Sequence, residues 1–158
     1  VDWAGWAVFG LAATAALTSV LIAAQLAGWT RLDLPLLLGT LVVEDPDHAR
    51  AVGFLLHLGA GQVFALLYAL GFAVLGHATW WLGALFGCLH GGVALTAIIP
   101  LFAGVHPRIG SLRAGLESRA VLEPPGLLAL NYGYQTPLVA AIAHVLYGAV
   151  LGLLLEVG

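Results

Sequence analysis

The chain has 158 residues, 61% of them hydrophobic and 8% charged, with a formal net charge of −3. Soluble domains carry about 25% charged residues, so a chain this apolar needs lipid to solvate most of its surface. With no basic run it offers nucleic acid nothing to hold. Cys88 is the only cysteine, which excludes an intrachain disulfide and leaves the redox compartment unread. Methionine is absent, position 1 included, so the numbering starts after processing or inside a longer chain.

The composition predicts an all-α, polytopic membrane protein with four transmembrane helices in a single domain, 1–158. The spans are expected at residues 3–29, 51–76, 80–105 and 137–155. Trp3, Trp6, Trp29, Trp80 and Trp81 fall at span ends, where interfacial aromatic belts form. The first span lacks a basic leader and reads as a retained helix rather than a signal peptide. Its Gly10, Thr14 and Thr18 share a face, and their hydroxyls are expected to bond across to a neighbour.

The first long connection holds Arg31, Arg50 and the apolar run Leu34-Pro35-Leu36-Leu37-Leu38, expected to lie along the interface. Asp45-Pro46 pairs a good N-cap with proline at the first helical position and marks a helix start. The second span follows, with the stripe Gly53, His57, Gly61 and Ala65 on one face. Only Gly76-His77-Ala78-Thr79 separates it from the third span, so these two must be antiparallel neighbours.

The third span carries Gly83, Gly87, His90 and Ala94 on one face, and Pro100 is placed to kink it. The second long connection contains Arg108, Arg113 and Arg119, an alternating segment from 109 to 121 that reads as a short amphipathic surface helix, and Glu123-Pro124-Pro125. Thr136-Pro137 repeats the cap-and-proline signal before the fourth span, whose stripe is Ala140, His144, Gly148 and Gly152.

All five basic residues lie in the two long connections. The positive-inside rule then makes those loops cytoplasmic and puts both termini outside, with the bacterial inner membrane as the expected location. Spans two and four share histidine, the glycine four later and the valine six later, and Leu-Thr recurs at Leu17-Thr18 and Leu95-Thr96. This suggests two related helical hairpins, with His57 and His144 as equivalents.

An imidazole in hydrocarbon is costly and normally faces a partner helix, a cavity or a ligand. His57, His90 and His144 each sit on a small-residue stripe, with no Lys, Arg, Asp or Glu in their spans, and at similar depth. Two chemistries follow. As helix glue, each imidazole bonds a neighbouring carbonyl or hydroxyl for about 0.6 kcal/mol on average. As ligands, they hold a cofactor: haem b with His57 and His144 axial, Gly61 and Gly148 clearing room for the ring and Arg50 reaching a propionate, or a transition metal held by His57, His90 and His144. His48, His77 and His106 are expected at solvent or headgroups, His106 with Arg108 near anionic lipid.

No sequence signature of a hydrolase, metalloprotease or nucleotide-binding loop is present, so independent catalytic activity is not expected. The leading expectation is a small subunit of a larger membrane redox or energy-converting complex, with other membrane subunits and the lipid bilayer as its partners. A cofactor-free accessory or scaffold subunit is the alternative, and a small-solute channel or carrier a weaker one. Gly-x-x-x-His-x-x-x-Gly around His57, His90-Gly91, His106-Pro107-Arg108 and His144-x-x-x-Gly148, after an Ala-Thr-rich first span, resemble a group of small four-helix bacterial membrane proteins. That resemblance implies a fold and no activity.

Overall fold

In a computed structural model that describes residues 1–109 and 122–157, four long apolar helices are long enough to cross a membrane. α1 spans Trp3–Leu26, α3 spans Pro46–Leu75 and α6 spans Thr136–Leu154. The third crossing, Trp80–Val105, is composite: α4 (Trp80–Val93), a π-helical turn (Ala94–Ile98) and α5 (Ile99–Val105). A short α2 (Leu34–Gly39) and a 3₁₀ segment (Leu127–Tyr132) lie in the connections. The amphipathic segment expected at 109–121 lies almost wholly outside the described residues.

The helix starts follow local chemistry. Asp2, Asp33, Asp45 and Thr79 each accept a backbone N–H of the helix they precede, satisfying one of its orphan donors. α3 therefore begins at Pro46, a turn before the apolar run itself, and stops at Gly76, whose positive φ of 75° suits glycine. Thr136 departs from its expected role: α6 has no side-chain cap, and the Thr136 hydroxyl instead hydrogen-bonds that of Thr30 at 2.7 Å.

The crossings alternate in direction. α1 runs against α3, with a Cβ on Gly10 or Gly61 set to overlap Gln62 or Thr14 respectively. α4 runs against α6 in direct backbone contact. A Cβ on Gly83 would overlap the Gly148 carbonyl, one on Gly87 the His144 carbonyl, and one on Gly152 the Thr79 carbonyl. Backbone contact of this kind replaces the hydrophobic effect where the solvent is itself apolar. The stripes read from the sequence are thus the contact faces.

The two hairpins nevertheless cross in different registers. Gly61 meets Thr14, beside Leu17-Thr18, whereas Gly148 meets Gly83, at the opposite end of its span from Leu95-Thr96. Spans two and three are adjacent, as the short turn requires, but their backbones are held apart by aromatic rings. Phe72 stacks on Phe86 at 5.4 Å, Tyr68 meets Phe86 edge-on at 5.6 Å, and Phe64 stacks on His90 at 3.9 Å.

The outer surface is apolar, with residues such as Leu26, Val74, Leu101 and Leu153 more than two-thirds exposed, as lipid-facing positions should be. Trp3, Trp29, Trp80 and Trp81 are exposed at helix ends. α2 is held by direct backbone contact rather than standing apart from the bundle. It is pressed against α3, where a Cβ on Gly39 or Gly53 would overlap the Ala49 or Pro35 carbonyl. The 3₁₀ segment folds back in the same way, and Ala129, at a left-handed φ of 59°, is fully buried with Leu32, Leu37 and Ala140.

A candidate ligand site between the helices

The wider gap between α3 and the third crossing opens into a cavity of about 140 Å³. Its floor and sides come from Leu17 and Leu21 of α1, Phe64 of α3 and Tyr147 of α6. The π-helical turn supplies Ala94, Leu95 and Ile98. That turn has a cause: Pro100 has no N–H to offer and its ring crowds the carbonyl four residues back. The backbone widens just ahead of it, and the N–H of Ile99 bonds five residues back to Ala94. π-Turns recur at functional sites.

His57, His90 and His144 all line this one cavity. His144 Nδ1 donates to its own helix at Ala140 O, 2.7 Å away. A carbonyl only accepts, so in the uncharged ring the proton is on Nδ1 and Nε2 carries the lone pair. His90 lies edge to face against His144 with centroids 4.7 Å apart, stacks on Phe64, and has Nδ1 3.4 Å from the Tyr68 hydroxyl. His57 differs from both: its Nε2 is buried and, among the described residues, has no hydrogen-bond partner. Buried polar atoms are paired in the great majority of cases, so an orphan of this kind needs an explanation.

The remaining polar groups are already committed. The Tyr147 hydroxyl donates to Gly61 O at 2.6 Å and the Thr14 hydroxyl to Gly10 O at 2.8 Å. Thr18 likewise bonds back to Thr14 O, so the threonines of α1 serve their own helix and do not bridge to a neighbour. Gly61 and Gly148 sit at helix contacts, against Thr14 and Gly83, and only Gly61 also lines the cavity.

Arg50 does not line the cavity. Its guanidinium pairs with Asp33 at 2.8 Å and reaches Asp47 at 3.5 Å, tying α3 to the start of α2. Among the described residues no three His, Cys, Asp or Glu side chains are grouped so as to enclose a metal ion.

Of the other histidines, His48 is exposed beside Asp45 and His77 is exposed in the turn. His106 departs from expectation: it is 6% exposed. Its Nε2 donates to Leu37 O at 3.0 Å, and its Nδ1 accepts the Arg108 N–H at 3.1 Å. Arg108 in turn donates to Thr40 O and pairs with Glu44. His106 and Arg108 therefore fasten the end of the third crossing to α2, whose Leu34 and Leu38 close the loop end of the cavity. Burial, with Arg108 adding to it, holds the His106 imidazole below its ordinary pKa against the opposing Leu37 bond.

Tyr68, Phe64 and Tyr147 escaped the sequence reading. Tyr147 was within reach of it, since it lies three residues after His144 on the same face. The chain matches no family model, no curated protein and no solved structure.

Proposed function

We propose that this chain is a small integral membrane subunit that holds a ligand between its helices at His57, His90 and His144. One observation carries the reading: imidazoles from three separate helices converge on a single apolar cavity, and one of them has a buried nitrogen with no partner among the described residues. Intramembrane ionisable residues mark functional sites by default. A larger redox or energy-converting complex in the bacterial inner membrane is the proposed setting, with the arginine-bearing loops cytoplasmic and both termini outside.

The space bears on what the ligand is. A cavity of about 150 Å³ takes up benzene, so about 140 Å³ suits one small ring or an ion. A porphyrin comprises four pyrrole rings, and haem between His57 and His144 would require α3 and α6 to part. A transition metal asks for less. Neutral imidazoles suit Zn, Cu, Fe and Ni, His90 and His144 already touch, and His57 lines the same cavity.

A second reading draws on specific contacts. The Phe64–His90 stack and the His144–Ala140 bond give two of the imidazoles partners within the protein, as helix glue in a cofactor-free scaffold subunit would have.

Purification from native membranes without chelators tests the reading, with metal analysis, an absorption spectrum and mass spectrometry of extracted small molecules. We expect a stoichiometric species that is lost from a His57→Ala/His90→Ala/His144→Ala variant and kept in His48→Ala. Identical, empty preparations of all three would overturn it.

A further inference from the structure

Which groups around the cavity are spent and which are free narrows the ligand further. Resting on the binding role proposed above, we infer that the occupant is a hydroxylated single aromatic ring dissolved in the bilayer, entering sideways between α3 and the π-helical turn.

Size sets the first limit, since the space is that of one six-membered ring. Shape sets the second. Phe64 and His90 are stacked at 3.9 Å with planes 28° apart, which gives the cavity a wall of aromatic rings. Leu17, Leu21 and Leu95 make the rest apolar.

Hydrogen bonding sets the third limit and decides the chemistry. The hydroxyls of Tyr147 and Thr14 are both consumed by backbone carbonyls. Imidazole nitrogens remain, and two of them define what can bind. His144 Nε2 has its lone pair free because the ring proton is held on Nδ1 by Ala140 O, and among the described residues it has no partner. His57 Nε2 is buried and likewise without a partner among the described residues. The complement of free imidazole nitrogens in an apolar chamber is an apolar body bearing hydroxyl groups. A phenol or hydroquinone ring satisfies this, its O–H donating to His144 Nε2. A bare cation fits less well, because among the described residues no carboxylate lines the cavity and no three donors are grouped for it.

Access gives the fourth. Leu32, Leu34 and Leu38 close the end nearest the loops. α3 packs chiefly on α1 and α2, and its backbone makes no extended contact with the π-helical turn. The rim there is formed by Ala60 and Ile98, both exposed on the hydrocarbon-facing surface. A ligand arriving by that route is already dissolved in lipid, and any tail on its ring has an exit.

The test uses the full chain in lipid nanodiscs with decylhydroquinone, 4-decylphenol and decylbenzene as probes. We expect saturable binding of the two hydroxylated probes, with decylbenzene at least about tenfold weaker, because a site with unpaired polar groups rejects an analogue lacking the hydroxyl. His144→Phe should weaken the hydroxylated probes about tenfold and leave decylbenzene unchanged, the loss expected of one buried hydrogen bond. Ala60→Trp, a lipid-facing change, should slow association and keep the same selectivity. It also serves if His144→Phe does not fold. Equal binding of all three probes, or of none, overturns the inference. Cobalt(II) titration separates the two levels: a histidine-dependent visible spectrum without phenol binding keeps the binding role and removes the ring. Absence of both removes both.

Discussion

The imidazoles of His90 and His144 meet edge to face, 4.7 Å between centroids and 82° between planes, although one belongs to α4 and the other to α6. They meet because α4 presents glycine wherever α6 comes near. A Cβ at Gly87 would overlap the His144 carbonyl, and one at Gly91 would sit 3.2 Å from His144 Cβ. Any side chain at Gly87 must push the two helices, and so the two rings, apart.

Gly87→Val is therefore expected to destabilise the bundle by about 1–3 kcal/mol, the usual range for overpacking a tight contact. Gly92→Ala, five residues on with nothing within 4 Å of its Cβ position, should be close to neutral or slightly stabilising. Thermal unfolding in detergent checks both. Equal midpoints for the two variants would contradict the contact.

The three membrane histidines should not respond alike. His144→Leu removes a bond to Ala140 O and is expected to cost about 0.6 to 2 kcal/mol. His57→Leu removes a nitrogen that has no partner, so the empty protein should be unchanged or gain stability while losing its ligand. A large loss of unfolding midpoint in His57→Leu would show that its Nε2 is paired after all.

His106 makes stability depend on pH. Its pKa in the folded protein lies below the ordinary imidazole value of 6.5, chiefly through burial, so the unfolded chain binds the proton more readily. Its contribution is fully present above about pH 6.5 and declines as the pH falls through that value toward the lowered folded pKa. Unfolding midpoints from pH 8 to pH 5 should fall for the native chain and fall less for His106→Gln. Parallel curves would remove His106 from the account.

Orientation is tested by a reporter that fluoresces only in the cytoplasm. Fused after Gly158 it should stay dark, and inserted beside Glu44, in the connection ahead of α3, it should light. The reverse pattern would invert the arrangement.

The crossings were readable from apolar length, and the contact faces from glycine spacing, because both are properties of a single helix. Partners were not. Periodicity puts Thr14 and Thr18 on a packed face, but it is silent on whether their hydroxyls reach across; they bond back along α1. Arg50 stands two turns from His57 on one face, yet Asp33, seventeen residues earlier in sequence, captures it. His106 reads as a surface histidine beside Arg-Pro chemistry until Leu37, sixty-nine residues away, supplies a buried carbonyl. The cavity was similarly out of reach, since it depends on how far Phe64, Tyr68 and Phe86 wedge two adjacent helices apart.

The π-helical turn holds one residue more than an α-turn in the same length of helix. At 3.6 residues per turn, that extra residue rotates everything after it by about 100°. It is thus a swivel as well as a widening: the turn that brings Ala94, Leu95 and Ile98 to the cavity also aims His106, two turns later, at Leu37 of α2. Deleting one residue between Ala94 and Ile98 would spin α5 away from α2 while leaving α4 and its glycines in place, so the chamber would lose its cover and its side wall in a single step.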